Sequence, residues 1–129
     1  MRKKIIILGS TGSIGKTTLS LIKGSREKFD IKLLSTNKNA KFLLEQSKKY
    51  RVKNVIIFNK EKYEQYKSIF LRNNIKVFND FNNSKKIIKS KIDVTVCGIS
   101  GLEGLKPLLS SIEVSRKIAV ANKESLICG

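Results

Sequence analysis

The sequence predicts an α/β fold, a doubly wound parallel sheet with helices on both of its faces. Six short apolar runs rich in isoleucine and valine recur along the 129 residues, and segments with helical periodicity lie between them. Alternating strands and helices favour a parallel sheet joined by crossover helices. With one proline, Pro107, and no glycine- or serine-rich linker, residues 1–129 are expected to form one domain.

The six apolar runs have the length and composition of strands that are buried on both faces. They are Ile5 to Leu8, Ile31 to Leu34, Asn54 to Phe58, Ile75 to Phe78, Asp93 to Cys97 and Lys117 to Ala121. One helix is predicted from the turn after the first strand to about Lys23, and two more at Ala40 to Tyr50 and Glu61 to Arg72. In the second helix, Phe42, Leu43 and Gln46 share a face with Tyr50.

The chain carries 27 basic and 10 acidic residues, a net charge of +17. This excess leaves a nucleic-acid binder open as an alternative, because lysine and arginine attract phosphate. The charges are spread along the whole chain, so the preferred interpretation has no nucleic-acid partner. A positive field also helps to collect a multiply phosphorylated cofactor.

Composition excludes several kinds of site. The chain has no histidine, which rules out a histidine-based triad or zinc site within it. Cys97 and Cys128 do not have metal-ligand spacing, and we expect two reduced thiols without a chemical role. The run Ile5 to Leu8 is far too short for a signal peptide core or a membrane span, so we expect a cytoplasmic protein without a membrane partner.

A glycine-rich turn follows the first predicted strand directly and leads into a helix. It reads Gly9-Ser10-Thr11-Gly12-Ser13-Ile14-Gly15. Small residues allow a tight turn and let a pyrophosphate approach the backbone, where the first N–H groups of the helix face the anion. The GxxGxxG spacing in this position predicts a Rossmann-type dinucleotide site and differs from the GxGxxG of many NAD-binding folds.

A phosphate-loop NTPase is the competing interpretation, because Gly15-Lys16-Thr17 resembles the end of that motif. Its first glycine would have to stand at Ser10, but the glycine lies one residue earlier, at Gly9. A β-carbon at Ser10 would crowd a loop that wraps phosphates. Lys16 is therefore expected to be a solvated residue in the first helical turn.

The end of the second predicted strand indicates which dinucleotide is bound. NAD-binding folds usually carry an acidic residue there that accepts from the ribose 2′-hydroxyl. Here the sequence is Ser35-Thr36-Asn37-Lys38-Asn39, without an acid. Lys38 can hold a 2′-phosphate, which favours NADPH over NADH. The asparagines can also serve as a helix cap, and both roles are compatible.

The opening segment LGSTGSIG, from Leu8 to Gly15, and the closing segment ANKESL, from Ala121 to Leu126, closely resemble the 1-deoxy-D-xylulose 5-phosphate reductoisomerase family. Asn37 to Asn39 lie between them, and the resemblance spans the whole chain. It implies NADPH-dependent rearrangement and reduction of 1-deoxy-D-xylulose 5-phosphate to 2-C-methyl-D-erythritol 4-phosphate in the non-mevalonate isoprenoid pathway. A Mg2+ or Mn2+ ion is also implied, as is a homodimer for the full-length form.

The resemblance also implies roles for individual residues. The cofactor contacts would be Thr11, Gly12, Ser13, Ile14, Lys38, Asn39, Asn122 and Glu124, and Lys123 would contact the phosphosugar substrate. Asn37 departs from the family, which frequently has a glycine there. The family's metal ligands and C-terminal helices lie beyond the position of Gly129, so this chain is expected to bind cofactor without turning over. A stand-alone NADP-binding module without catalysis is the alternative.

Overall fold

The structure, a computed structural model, describes residues 2–82, 84–99 and 114–120, and strands alternate with helices through them. The strands are β1 (Lys3–Leu8), β2 (Phe29–Thr36), β3 (Asn54–Ile57), β4 (Lys76–Phe78), β5 (Ile92–Cys97) and β6 (Ser115–Val120). The helices are α1 (Ser13–Lys23), α2 (Ala40–Lys49), α3 (Lys60–Arg72) and the single turn α4 (Ser84–Ile87). A short 3-10 turn, Arg26–Lys28, joins α1 to β2.

The six strands form one sheet in the order β4-β3-β2-β1-β5-β6, and every neighbouring pair is parallel. The chain first builds outward from β1 to β4, and then returns to place β5 on the other side of β1. This reversal is the defining feature of a doubly wound sheet. The predicted fold class is confirmed.

Alternating side chains of the central strands supply two apolar cores, one on each face of the sheet. Ile5 and Ile7 point to the face that α1, α2 and α3 cover, where Leu19, Leu43 and Phe70 pack. Ile6 and Leu8 point to the opposite face, where the core includes Phe81, Ile88 and Val114. Strands covered on both faces need apolar residues at successive positions, which explains the run Ile5 to Leu8.

The prediction that all six strands are buried on both faces is wrong for the two edge strands. Lys76 of β4 and Lys117 of β6 are exposed, and Val77 and Ile118 are only half-buried. An edge strand has one neighbour and less helix above it, so solvent reaches its side chains. Strand and helix ends otherwise differ from the prediction by one or two residues.

Helix α4 was not predicted, because four residues are too few to show a helical period. None of the helices described here is long and apolar enough to cross a lipid bilayer.

Adjacent residues of α3 allow a test of this packing. Phe70 is fully buried and Leu71 is 59% exposed. We expect Phe70→Ala to lower the free energy of unfolding by about 3–5 kcal/mol, because it leaves a cavity in the core beneath α3. Leu71→Ala should change it by no more than about 0.5 kcal/mol. Urea unfolding followed by circular dichroism measures both, and equal losses would show that α3 does not pack as described.

Candidate functional site

The reversal in strand order places a crevice between the carboxyl ends of β1 and β5. The chain leaves β1 toward β2 on one side and leaves β5 toward β6 on the other. The connections therefore diverge above these two strands, and ligands of doubly wound folds bind in the crevice that results. The turn Gly9 to Gly12 lies on one side of it, and Gly98 and Ile99 lie on the other.

Two glycines of the first turn lie where a side chain would not fit. Gly9 has a φ of +77°, a conformation that favours glycine, and a β-carbon on it would lie 3.2 Å from the backbone of Gly98. A β-carbon on Gly15 would overlap with the carbonyl oxygen of Gly9 and with Cα of Ser10. The first turn of α1 thus packs directly on the end of β1.

The N-terminus of α1 lacks the side-chain cap that the other long helices have. Asn39 accepts from the N–H of Phe42 at the start of α2, at 3.3 Å, and Asn59 caps α3 in the same way. Among the described helices longer than one turn, α1 alone has a glycine, Gly12, at this position and no side-chain hydrogen bond. Helix geometry leaves its first N–H groups without an intrahelical acceptor.

These uncapped N–H groups lie in an accessible part of the molecule. Gly12, Ser13 and Ile14 are exposed and Thr11 is half-buried. The first intrahelical bond runs from the N–H of Lys16 to the carbonyl of Gly12. The N–H groups that precede it, together with the positive end of the helix dipole, give this end of α1 the geometry and charge that an anion requires.

The loop after β2 is linked to the glycine turn through Thr36, the last residue of β2. The hydroxyls of Thr11 and Thr36 are 2.6 Å apart, and the N–H of Asn39 donates to the Thr36 hydroxyl at 3.2 Å. Lys38, between them in sequence, is exposed, and its side chain reaches solvent at the same edge of the sheet. Asn39 caps α2, which confirms the structural role proposed for it.

Asn37 fits its position without strain. In the described residues, positive φ outside glycine occurs at Arg51 and Asn74, and Asn37 is not among them. Its carbonyl accepts from the N–H of Asn59 at 2.9 Å. An asparagine can therefore replace glycine here, because the backbone does not need a left-handed conformation.

The side-chain amide of Gln46 is buried beneath the glycine turn, a contact that the sequence pattern does not predict. The amide of Gln46 donates from Nε2 to the Ser10 carbonyl at 2.9 Å and accepts at Oε1 from the Ser10 hydroxyl at 2.8 Å. From the other side, the Ser35 carbonyl accepts from the N–H of Ser10, and the Ser35 hydroxyl accepts from the N–H of Gly9, both at 2.9 Å. We call Ser10, Ser35 and Gln46 the serine–glutamine clamp.

The signal for the clamp was present in the sequence. Gln46 lies on the buried face of α2 with Leu43, and a glutamine on an apolar face needs a hydrogen-bond partner. Its partner is 36 residues away in the sequence, which helical periodicity does not reveal.

Lys16 is exposed, as predicted, and its ammonium lies over the ring of Phe42 on α2, 5.2 Å from the ring centre. The side chain thus points along the outer surface between α1 and α2. Ser10 is fully buried in the clamp at the point where a phosphate loop would need a glycine.

The predicted site residues Asn122, Lys123 and Glu124 lie outside the described residues, as do Ala121 and Cys128. Strand β6, which leads toward them, is parallel to β5, so its carboxyl end lies at the same edge of the sheet as the glycine turn.

The described residues contain no cluster of three acidic, cysteine or histidine side chains that would hold a metal ion. Cys97 is buried at the end of β5, and burial raises the pKa of its thiol. The thiol therefore stays protonated at neutral pH, which agrees with the expectation that it has no chemical role.

A doubly wound parallel sheet, a glycine turn at its switch point and an uncapped helix behind that turn define a Rossmann-type dinucleotide-binding domain. The family model of 1-deoxy-D-xylulose 5-phosphate reductoisomerase matches residues 5–129. The chain belongs to this family, as its two terminal motifs predict.

Individual relatives agree with this assignment. The chain is 46% identical to the reductoisomerase of Pelagibacter ubique and 39% identical to that of the Wolbachia of Brugia malayi, and it covers 33% of the length of each. The match spans 98% of this chain in both cases. The chain thus spans about a third of the length of the curated relatives it matches.

Solved structures show the same fold. The Zymomonas mobilis reductoisomerase in complex with NADPH superposes with a TM-score of 0.86 at 29% identity, over 98% of this chain and 34% of that one. A reductoisomerase in complex with NADPH, fosmidomycin and magnesium gives a TM-score of 0.85 at 25% identity, over 97% of this chain and 31% of the other.

The close approach at Gly15 can be tested against a matched glycine at the other end of α1. We expect Gly15→Ala to lower the free energy of unfolding by about 3 kcal/mol or more, since the new methyl overlaps with backbone atoms. At Gly24, where a β-carbon would lie 4.0 Å from the nearest atom and φ is −74°, alanine should be neutral or stabilising by up to about 1 kcal/mol. Urea unfolding measures both. A Gly15→Ala protein as stable as the parent would contradict the described turn.

Proposed function

We propose that this chain is the NADPH-binding part of a 1-deoxy-D-xylulose 5-phosphate reductoisomerase. The observation that carries the proposal is the position of Lys38, in the loop after β2, whose last residue, Thr36, is hydrogen-bonded to the turn before the uncapped helix α1. Two phosphate-binding features, one for a pyrophosphate and one for a 2′-phosphate, thus lie side by side. NADPH carries both groups, and NADH lacks the second.

The chain's own groups fit this cofactor. The backbone of Thr11, Gly12, Ser13 and Ile14 would hold the pyrophosphate, because a glycine turn without side-chain caps lets the anion approach. Lys38 would hold the 2′-phosphate, where a carboxylate would repel it. The Oδ1 atom of Asn39 caps α2, which leaves its Nδ2 donor for the cofactor.

The roles of Asn122, Glu124 and Lys123 rest on the match to the family. Asn122 and Glu124 would contact NADPH, and Lys123 would bind the phosphosugar substrate. These residues follow β6, whose carboxyl end shares the sheet edge with the turn, and this placement supports the assignment.

We propose that the whole protein rearranges and reduces 1-deoxy-D-xylulose 5-phosphate to 2-C-methyl-D-erythritol 4-phosphate. Bound NADPH would supply the hydride, while this chain would bind the cofactor and orient it toward the substrate. A Mg2+ or Mn2+ ion belongs to the proposal, since a solved relative holds magnesium. The described residues offer no site for it, so its ligands are proposed to lie in the remaining parts of the family's fold.

The same proposal includes a homodimer for the full-length protein and a cytoplasmic location, where reduced nicotinamide cofactors are available. It includes neither a nucleic acid nor a membrane as a partner. The positive charge is then explained by attraction of a cofactor and a substrate that both carry phosphate.

A second candidate is a stand-alone NADP-binding module without catalysis. Both candidates require the same cofactor site. A phosphate-loop NTPase is the least supported alternative, because Ser10 is buried and hydrogen-bonded where that loop needs a glycine.

Cofactor preference tests the proposed role of Lys38. We expect the chain to bind NADPH more tightly than NADH, and Lys38→Ala to weaken NADPH binding about tenfold or more, since it removes a charge-assisted hydrogen bond to the 2′-phosphate. Binding of NADH should change by no more than about twofold. Titration followed by nicotinamide fluorescence measures the dissociation constants.

Lys53→Ala is the matched control for the charge. Lys53 is equally exposed but precedes β3, at the opposite edge of the sheet, so its loss should leave both constants unchanged. If Lys53→Ala weakens NADPH as much as Lys38→Ala does, the effect is one of total charge and the Lys38 site is wrong.

Turnover distinguishes a cofactor-binding part from a complete enzyme. The purified chain mixed with NADPH, 1-deoxy-D-xylulose 5-phosphate and Mg2+ should not oxidise NADPH, because it covers about a third of the length of its relatives and the family's metal ligands are expected beyond the position of Gly129. The absorbance of NADPH follows the reaction. Sustained oxidation that depends on the substrate would show that the chain is catalytically complete.

A further inference from the structure

We propose that Gln46 is a positioning residue that sets the distance between the two phosphate-binding features of the site, and thereby the preference for NADPH over NADH. This inference rests on the proposed function. It concerns a residue that does not touch the cofactor, since Gln46 lies beneath the glycine turn and is only 5% exposed.

Helix α2 connects Gln46 to the loop that carries Lys38. Its first turn follows Lys38 and is capped by Asn39, so the 2′-phosphate feature moves with this helix. Gln46 lies two helical turns further on, about 10 Å along the axis. Because a helix is rigid over this length, any displacement of α2 at Gln46 also displaces Lys38.

Gln46 attaches α2 to the glycine turn through two hydrogen bonds. Its Nε2 donates to the Ser10 carbonyl at 2.9 Å, and its Oε1 accepts from the Ser10 hydroxyl at 2.8 Å. Ser10 is fully buried and immediately precedes the residues assigned to the pyrophosphate. The amide uses a donor and an acceptor in fixed relative positions, so it defines both the distance and the orientation of α2 relative to the turn.

The remaining contacts do not replace this attachment. The pair of hydroxyls on Thr11 and Thr36 joins the turn to β2, and the Asn39 N–H bond ties only the first turn of α2 to the same strand. The two hydrogen bonds that Ser35 accepts from the N–H groups of Gly9 and Ser10 also join the glycine turn to β2. Two contacts join α2 to α1 beyond the turn: the Tyr50 hydroxyl donates to the Leu19 carbonyl, and the Lys16 ammonium lies over the Phe42 ring. Among the hydrogen bonds of the described residues, those of Gln46 connect the body of α2 to the glycine turn itself.

The affinity of a ligand that occupies both phosphate-binding features should depend on the distance between them more than the affinity of a ligand that occupies only one. NADPH must reach the uncapped end of α1 and Lys38 together, whereas NADH needs only the first. Binding sites tolerate displacements of about 0.5 Å before they lose affinity. Loss of the clamp should therefore reduce the ratio of NADPH to NADH affinity, and not merely the stability of the fold.

The experiment compares this ratio in three variants of the full chain. Gln46→Met keeps the length of the side chain and removes both hydrogen bonds, and we expect the ratio to fall about fivefold. Ser10→Ala removes the hydroxyl, with its contacts to Gln46 and to the Ser35 carbonyl, but keeps the bond from Gln46 Nε2, and should lower the ratio about twofold. This milder variant keeps the inference testable if Gln46→Met does not fold.

Ser47→Ala is the control, because Ser47 is buried on the same helix but bonds within it, to the carbonyl of Leu43 at 2.7 Å. It should lower the unfolding temperature while the ratio stays at the parent value. In a Lys38→Ala background, Gln46→Met should have no further effect on the ratio, since no 2′-phosphate feature remains to be positioned.

The outcomes distinguish a failure of the inference about Gln46 from a failure of the proposed function. If the parent prefers NADPH and the ratio stays constant in Gln46→Met and Ser10→Ala, then Gln46 is only structural and the inference is overturned, while the proposed function stands. An equal fall in Ser47→Ala would also overturn it, by showing that helix stability alone sets the ratio. A parent chain without any preference for NADPH would overturn the proposed function, and the inference with it.

Discussion

The contact on which the rest of the site depends is the direct approach of helix α1 to the end of β1 at Gly15. No β-carbon fits between Gly15 and the backbone of Gly9 and Ser10, so the helix begins as close to the strand as a polypeptide allows. This approach fixes the position of the first N–H groups of α1 at the switch point of the sheet. A larger residue would lift the helix and move these donors away from the crevice.

The start of α1 illustrates how a sequence can leave a helix end available for a ligand. Asparagines satisfy the first N–H groups of α2 and α3, whereas α1 has Gly12 at the corresponding position. Glycine in place of asparagine at an N-cap lowers helix stability by roughly a few tenths of a kcal/mol, and a bound anion can offset that loss. The difference between a stable helix end and a binding site is thus a single side chain at one position of each helix.

The parts of the structure that could be predicted from the sequence are those that depend on local pattern. Buried strands such as β1 need continuous apolar runs, and the glycine turn needs small residues at fixed spacing, so both were found. The sequence around Lys38 indicated the cofactor because it lacks an acid. What escaped prediction depends on distant contacts or on very short elements: the clamp at Gln46, the solvent exposure of the edge strands and the single-turn helix α4.

The order of strands has a consequence for how the chain is made. Strand β1 is synthesised before the other five described strands, yet it lies in the middle of the sheet, and Lys4 is hydrogen-bonded to Asp93, 89 residues later. The strands from β1 to β4 can assemble from successive neighbours, but one edge of β1 then waits until β5 has been synthesised. At about 5–20 residues per second, this interval lasts several seconds. During it, the central strand β1 exposes an unpaired edge, and an unpaired strand edge can pair with other chains.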